Sequence, residues 1–325
     1  MHKGRRSGTL LLAAVTLATF VPTTAISAPP PPALTFTTLG TNSGPIPNPA
    51  RSEPASLVRY GDQAVLVDVG DGAAEQLAKA GVTIGQVQTI MLSHLHFDHT
   101  GGLFAFLSLR YQGHDLGPLT IYGPPGTKLT VDGLLAAMKP GVEVSGAMGG
   151  NVDVSSAGIK VVELAGGSKV SIGQVVVTAT ENTHFINIKY SGPEATRPLS
   201  LSYRFDAPSR SILFTGDTGP SRNVEQLCKG VDLLVSEIMD PVAALDRLKQ
   251  KRPDLPAAFW PAIDAHFRGE HLAPNEVGLL AERCGPKALV LTHNAIEPSG
   301  LSAAREAIAA HYKGPITFAN DLQVF

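Results

Sequence analysis

The chain has 325 residues, of which 43% are hydrophobic and 17% charged, and its 26 basic and 28 acidic side chains give a formal net charge of -2. Such a composition builds one large globular domain or two ordinary ones and excludes disorder over most of the length. The charge balance leaves no broad basic footprint for nucleic acid; the densest basic run is Arg247-Leu-Lys-Gln-Lys-Arg252.

Lys3, Arg5 and Arg6 precede an apolar run at 10–21 that is too short to span a bilayer and suits the core of a signal peptide. The small residues of Ala25-Ile26-Ser27-Ala28 place cleavage after Ser27, since Pro29 disfavours the next bond. Residues 1–27 are therefore expected to direct export to the periplasm or beyond. The Arg5-Arg6 pair hints at a twin-arginine route, and the absence of a cysteine near the cleavage site argues against a lipid anchor. Residues 28–33, rich in proline, form a stiff spacer before the first strand.

Strand-like runs then recur at 33–39, 64–68, 89–92, 119–122, 160–164, 174–180, 200–205, 211–214, 232–235, 288–291 and 316–318. Helical patterns occupy 73–80, 133–138, 243–251, 274–283 and 302–311. This interspersion argues for stacked sheets covered by helices. The stretch 241–268, whose charges and prolines at 241, 253, 256 and 261 break the pattern, reads as an insertion able to lie over a site; Phe259 and Trp260 in it either line an apolar wall or pin it to the body. Cys228 and Cys284 read as small buried apolar residues, although an oxidising compartment would let them pair.

Chemistry concentrates at Ser93-His94-Leu95-His96-Phe97-Asp98-His99, which follows the apolar run 89–92 and so leaves the carboxyl end of a buried strand on a loop. One histidine there would be an ordinary satisfied side chain. Three histidines and an aspartate within six positions exceed what one catalytic zinc with an open position needs, and imply two metals. Three more ligand-type residues stand where apolar strands run out: His184, Asp217 and His293. Each alone reads as a loop or cap residue; together they supply what a two-metal hydrolase lacks.

His-x-His-x-Asp-His followed by Thr100-Gly101-Gly102 resembles the signature of the metallo-β-lactamase superfamily. The resemblance covers roughly 34–325 and implies an α/β fold, a four-layer αββα sandwich with two Zn2+, or other divalent transition metals, at one edge. It assigns His94, His96 and His184 to one metal, Asp98, His99 and His293 to the other, and Asp217 to the bridge, with Asp98 orienting the attacking water. His96, where oxygen-reducing di-iron relatives carry a carboxylate, points to the hydrolases.

Gly40-Thr-Asn-Ser-Gly-Pro45, Arg51, Leu66-Val-Asp-Val-Gly70, the segments 211–220 and 230–237, and His271-Leu-Ala-Pro-Asn-Glu-Val-Gly278 are similar to the ribonuclease Z-like and arylsulfatase-like branch. By that resemblance Glu237 holds a protonated His271, which gives its proton to the leaving alkoxide; the plainer reading is a helix-start histidine and a solvated carboxylate. The sequence has no long Gly- and basic-rich arm of the kind that grips transfer RNA. The expectation is an exported dinuclear zinc hydrolase that cleaves small phosphodiesters or aryl sulfates with metal-activated hydroxide, without nucleic acid and without a membrane once the signal is removed; a homodimer is compatible. The alternatives are a lactonase or β-lactamase-type hydrolase and a non-catalytic metal-binding protein. His114, His266 and His311 carry no comparable case, although His266, in the insertion, could approach a substrate.

Overall fold

Strands and helices alternate along the body in an order that pairs each sheet with its own helical cover. In this computed structural model, which describes Met1, His2, Gly4 and residues 32–145 and 158–325, the first half carries β1 (Thr35–Gly40), β2 (Ala55–Tyr60), β3 (Gln63–Val69), α1 (Ala73–Lys79), β4 (Thr89–Met91), α2 (Phe97–Thr100), α3 (Leu103–Gln112), β5 (Leu119–Gly123), α4 (Thr127–Ser145) and β6 (Ile159–Glu163). The second half carries β7 (Lys169–Ile172), β8 (Val175–Glu181), β9 (Leu201–Ala207), β10 (Arg210–Phe214), α5 (Arg222–Leu227), β11 (Leu233–Ile238), α6 (Pro241–Lys251), α7 (Trp260–Glu270), α8 (Pro274–Cys284), β12 (Ala288–Asn294), α9 (Leu301–His311), β13 (Ile316–Phe318) and β14 (Gln323–Val324). Pro32–Phe325 form one compact unit. The signal segment expected at 1–27 lies, but for Met1, His2 and Gly4, outside the described residues.

Two seven-stranded sheets result among the described residues, ordered β14-β1-β2-β3-β4-β5-β6 and β13-β12-β11-β10-β9-β8-β7. Each is antiparallel at one end and parallel at the other, the parallel pairs being β3–β4, β4–β5 and β5–β6 in the first and β10–β11, β11–β12 and β12–β13 in the second. Side-chain alternation along a strand sets the layers. On β3, Val65 and Val67 face the second sheet and meet Tyr203, Phe205, Phe214 and Val235 in the central core. Leu66, between them, faces outward with Ile90 onto Leu77 of α1 and Phe106 of α3. The outer face of the second sheet, through Leu213, Leu234 and Leu291, packs on α5, α8 and α9 at Val224, Val277 and Ile308. This is the four-layer αββα arrangement expected from the sequence.

The stretch read as a pattern-breaking insertion consists largely of two helices that pack on each other, α6 and α7. Its prolines start helices: Pro241 and Pro261 lie in first turns, where a missing N–H costs nothing. Asp240 caps α6, its Oδ1 accepting from the backbone N–H groups of Val242 and Ala243 at 3.0 Å each. Trp260 lies under the Lys249 ammonium at 6.0 Å, so it pins α7 to α6. Cys228 and Cys284, favoured in the sequence as separate buried thiols, form a disulfide with Cα atoms 5.1 Å apart. It ties the end of α5 to the end of α8 inside the outer core.

Candidate metal centre

The four residues of the His94–His99 motif sit on the loop and single helical turn after β4. That loop is held by Asp68 at the end of β3, a buried residue with φ 57, a conformation unusual outside glycine. Its carboxylate accepts from Ser93 N at 2.7 Å and Ser93 Oγ at 2.8 Å, and lies 2.8 Å from His99 Nδ1. His184 follows β8; its N–H donates to Asn182 Oδ1, and its Nδ1 is 2.9 Å from the carbonyl oxygen of Glu270, the last residue of α7. Asp217 follows β10 through Gly216 at φ 57, where a Cβ would crowd Leu201 O and the Ser93 side chain at 3.0 and 3.1 Å. His293 closes the set near the end of β12, its backbone also at positive φ, 43°. Such a conformation costs a non-glycine residue about 1–3 kcal/mol and persists only where its surroundings over-determine it.

All seven residues predicted as ligands come together. His99 Nε2 lies 3.4 Å from Asp217 Oδ1, while Asp217 Oδ2 lies 3.2 Å from His293 Nε2, 3.9 Å from His184 Nε2 and 4.0 Å from His94 Nε2. Asp98 Oδ2 is 3.4 Å from His293 Nε2 and 3.6 Å from His99 Nε2. His96 Nδ1 is 3.1 Å from His184 Nε2. The donors of His94, His96 and His184 fall within 4.8 Å of one another, as do those of Asp98, His99 and His293, with Asp217 grouped alongside His94 and His99.

The donors fit divalent cations. Nδ1 of His94 is occupied by Ser93 Oγ at 3.0 Å, that of His99 by Asp68 and that of His184 by the Glu270 carbonyl, so each ring offers Nε2 to the centre. His94 Nε2, His99 Nε2 and Asp217 Oδ1 are buried without a hydrogen-bond partner among the described residues. An orphaned buried polar atom costs about 1–3 kcal/mol, and divalent cations held among these donors would satisfy all three. Ligands about 2.0–2.1 Å from a tetrahedral metal stand roughly 3.3 Å apart, a value inside the 3.1 to 4.0 Å observed.

Electrostatics agree. Burial drives His94 and His184 well below the ordinary imidazole range, leaving the neutral ligand form. Burial acts the same way on His99 and His293 but is outweighed, by Asp217 and Asp68 at His99 and by Asp217 and Asp98 at His293, so both are raised. Desolvation would raise Asp98 and Asp217, yet these histidines hold both below the usual carboxylate range. Protons on His99 and His293 thus stand in for positive charge between two carboxylates.

His271 and Glu237 lie beside this cluster. Glu237, buried near the end of β11, accepts from Thr218 N and lies 2.7 Å from His271 Nδ1. A ring nitrogen of His271 falls within 4.8 Å of the donors of His184 and Asp217. Burial and then the charge of Asp217 push Glu237 well up, while burial pushes His271 down despite the carboxylates around it. The contact with Glu237 occupies Nδ1 of the ring and leaves Nε2 as the nitrogen open to other partners.

Three supporting groups were not singled out in the sequence: Asp68, Asn182 and Glu270. Asp68 had a signal, a carboxylate inside an apolar strand; the Glu270 carbonyl, a backbone atom, had none. His266 of α7 comes close, its ring centroid 5.6 Å from that of His184 and 5.1 Å from that of His271. His311 lies elsewhere, joining α9 to Asn275 of α8 at 2.8 Å.

Residues 63–294 match the family described as the beta-lactamase superfamily domain, and with this fold the chain belongs to the metallo-β-lactamase superfamily and is a metal-dependent hydrolase. Its relatives include proteins named ribonuclease Z. That of Mycobacterium bovis (strain BCG / Pasteur 1173P2) is 30% identical over 297 residues, covering 89% of this chain and 96% of the relative. That of Mycobacterium avium (strain 104) is 31% identical over 264 residues, covering 79% and 84%. Among solved structures, the short form of human tRNase Z matches with a TM-score of 0.61 at 23% identity, over 90% of this chain and 98% of the other, a likeness of fold.

Proposed function

We propose that this chain hydrolyses small phosphodiesters, with aryl sulfates the second substrate class, at a centre for two divalent cations, that zinc is the resident metal, and that it works outside the cytoplasm. One observation carries the reading: seven nitrogen and carboxylate donors converge beside a buried His271–Glu237 pair. Imidazole with carboxylate suits zinc, and the donor number suits two ions. Bound there, such cations supply Lewis acidity and lower the pKa of water.

The chain's own groups supply the rest. Asp98, at the centre and 14% exposed, orients the attacking water and accepts its proton. As the water oxygen bonds to phosphorus, the bond to the leaving oxygen breaks, and His271 Nε2–H supplies the proton that turns the departing alkoxide into an alcohol. Glu237 holds the ring through Nδ1 throughout.

Small substrates are favoured over polyanions because three of the four cations in the basic run at 247–252 are already engaged. Arg247 pairs with Glu297 at 3.2 Å, Arg252 with Asp254 at 2.7 Å, and Lys249 lies over Trp260. The ribonuclease Z relatives favour the other reading, an RNA phosphodiester. Purified mature protein, assayed for metal content and then against bis(p-nitrophenyl) phosphate, p-nitrophenyl sulfate, a lactone, a β-lactam and an RNA with a 3′ extension, decides between them. Two zinc ions per chain and highest kcat/KM on a small phosphodiester or sulfate are expected. Preference for RNA or a lactam replaces the reading, and metal without any turnover reduces the chain to a binding protein. Fractionation of cells producing the full chain tests export.

A further inference from the structure

Two cavities flank the 42–51 loop. One, of about 610 Å³, is lined by the carboxylates of Glu53, Asp71, Asp98 and Asp321 against the cations Arg51 and Lys79; it repels an anion. The other, of about 560 Å³, lies between that loop and the α6–α7 pair, a size usual for small-molecule sites. Its apolar wall includes Ile46, Met239, Leu248, Ile263 and Phe267, and its charged lining is Arg51, Arg247 and Lys251 against the single carboxylate of Glu297.

This second cavity adjoins the metal centre through three of its lining residues. A Cβ at Gly44 would collide with the Asp98 side chain. Asn294 is the neighbour of His293 in β12. His266 touches the rings of His184 and His271. Its Nδ1 is held by Glu270 Oε2 at 2.5 Å, and Glu270 is buried with Oε1 accepting from Asn187 N at 3.1 Å; Nε2 of His266 has no hydrogen-bond partner among the described residues. A carboxylate-braced histidine thus stands in the cavity wall beside His271, the group placed to protonate a leaving oxygen.

The cations differ in what remains for a ligand. Arg51 donates to the Thr41 and Asn294 carbonyls at 3.3 and 2.8 Å. Arg247 donates to the Ala295 carbonyl at 2.8 Å and pairs with Glu297. Lys251, at the end of α6, makes no hydrogen bond or ion pair among the described residues. On α6 the lining residues run from Ala244 through Arg247 and Leu248 to Lys251, roughly 10 Å along the helix at 1.5 Å per residue, so Lys251 marks the end of the wall that α6 contributes.

Resting on the ester-hydrolase reading above, we infer that this cavity takes the leaving alcohol of the substrate and selects an aryl alcohol that carries an anionic group toward Lys251. The apolar wall receives the ring, His266 Nε2 contacts the alcohol near the scissile bond, and Lys251 pairs with the anion.

Two esters that share one leaving ring test this: methyl 4-methylumbelliferyl phosphate and its counterpart with carboxymethyl in place of the ring methyl. The zinc-loaded enzyme is expected to favour the carboxymethyl ester by about two- to fivefold in kcat/KM, the effect of one ion pair. Lys251→Glu should erase or invert that ratio, and Ile263→Trp, which fills the cavity, should lower kcat/KM for both esters. Calorimetric titration of the free alcohol, 7-hydroxycoumarin-4-acetic acid, reads the pocket without turnover and should weaken in both variants. Equal turnover of both esters, or a preference that Lys251→Glu leaves intact, overturns the pocket while the ester reading stands. No turnover of either ester, with Lys251-dependent binding of the alcohol retained, overturns the ester reading and supports the pocket.

Discussion

Asp68 organises the centre without belonging to the seven donors. Its carboxylate fixes both the loop, through Ser93, and the tautomer of His99. Asp68→Asn removes one acceptor oxygen and is expected to weaken metal binding about 10–100-fold, the usual cost of losing such a partner, measured by competition with a chromogenic chelator. Asp217→Ala, which deletes the group between all the others, should abolish stoichiometric metal content and turnover together; full activity at unchanged metal content would end the two-cation reading. His271→Ala should slow esters of alkyl alcohols by about 10²–10⁴-fold and nitrophenyl esters far less, seen as a steeper dependence of rate on leaving-group pKa. Four of the seven donors were legible as a dense cluster behind one apolar run and three as polar residues where other apolar runs end, and the family resemblance joined them. Asp68 sits inside such a run, where a lone carboxylate was a signal but gave no sign that a left-handed backbone would accompany its contact with His99.

At the scale of elements, apolar periodicity revealed the long buried strands and the amphipathic helices α8 and α9. It missed β2, whose Ala55-Ser-Leu-Val-Arg-Tyr60 includes a buried Ser56 that interrupts the apolar signal, and the short, partly exposed β7. Within 241–268 the helix read at 243–251 is α6, but Pro261, taken as a breaker, lies in the first turn of α7. Pairing of the two cysteines was equally hidden, since 56 residues separate them. Closing a loop of that length stabilises a fold by about 2–4 kcal/mol. The Cys228→Ser/Cys284→Ser double variant should therefore unfold at lower urea with the shift in free energy falling in that range, yet still take up metal, because the clasp lies in the outer core away from the ligands.

For the molecule as a whole, the donors are divided between the two sheets: His94, His96, Asp98 and His99 follow β4 of the first, whereas His184, Asp217 and His293 follow or lie on β8, β10 and β12 of the second. Cations there bind the native state and not the unfolded chain, so loading to 100 times the dissociation constant should add about 2.7 kcal/mol of stability, read as a rise in Tm that a chelator reverses. The sign with pH follows from His99 and His293. Both are raised when metal-free, so a cation must displace their protons; affinity should climb as pH rises through the neutral range and fall in acid, with proton uptake by the buffer on titration. The division of donors also orders biogenesis. A nascent chain that has emerged only as far as β6 offers four of the seven donors, and His293, the last, arrives near the carboxyl terminus. The complete donor set is therefore present only after translation has nearly finished.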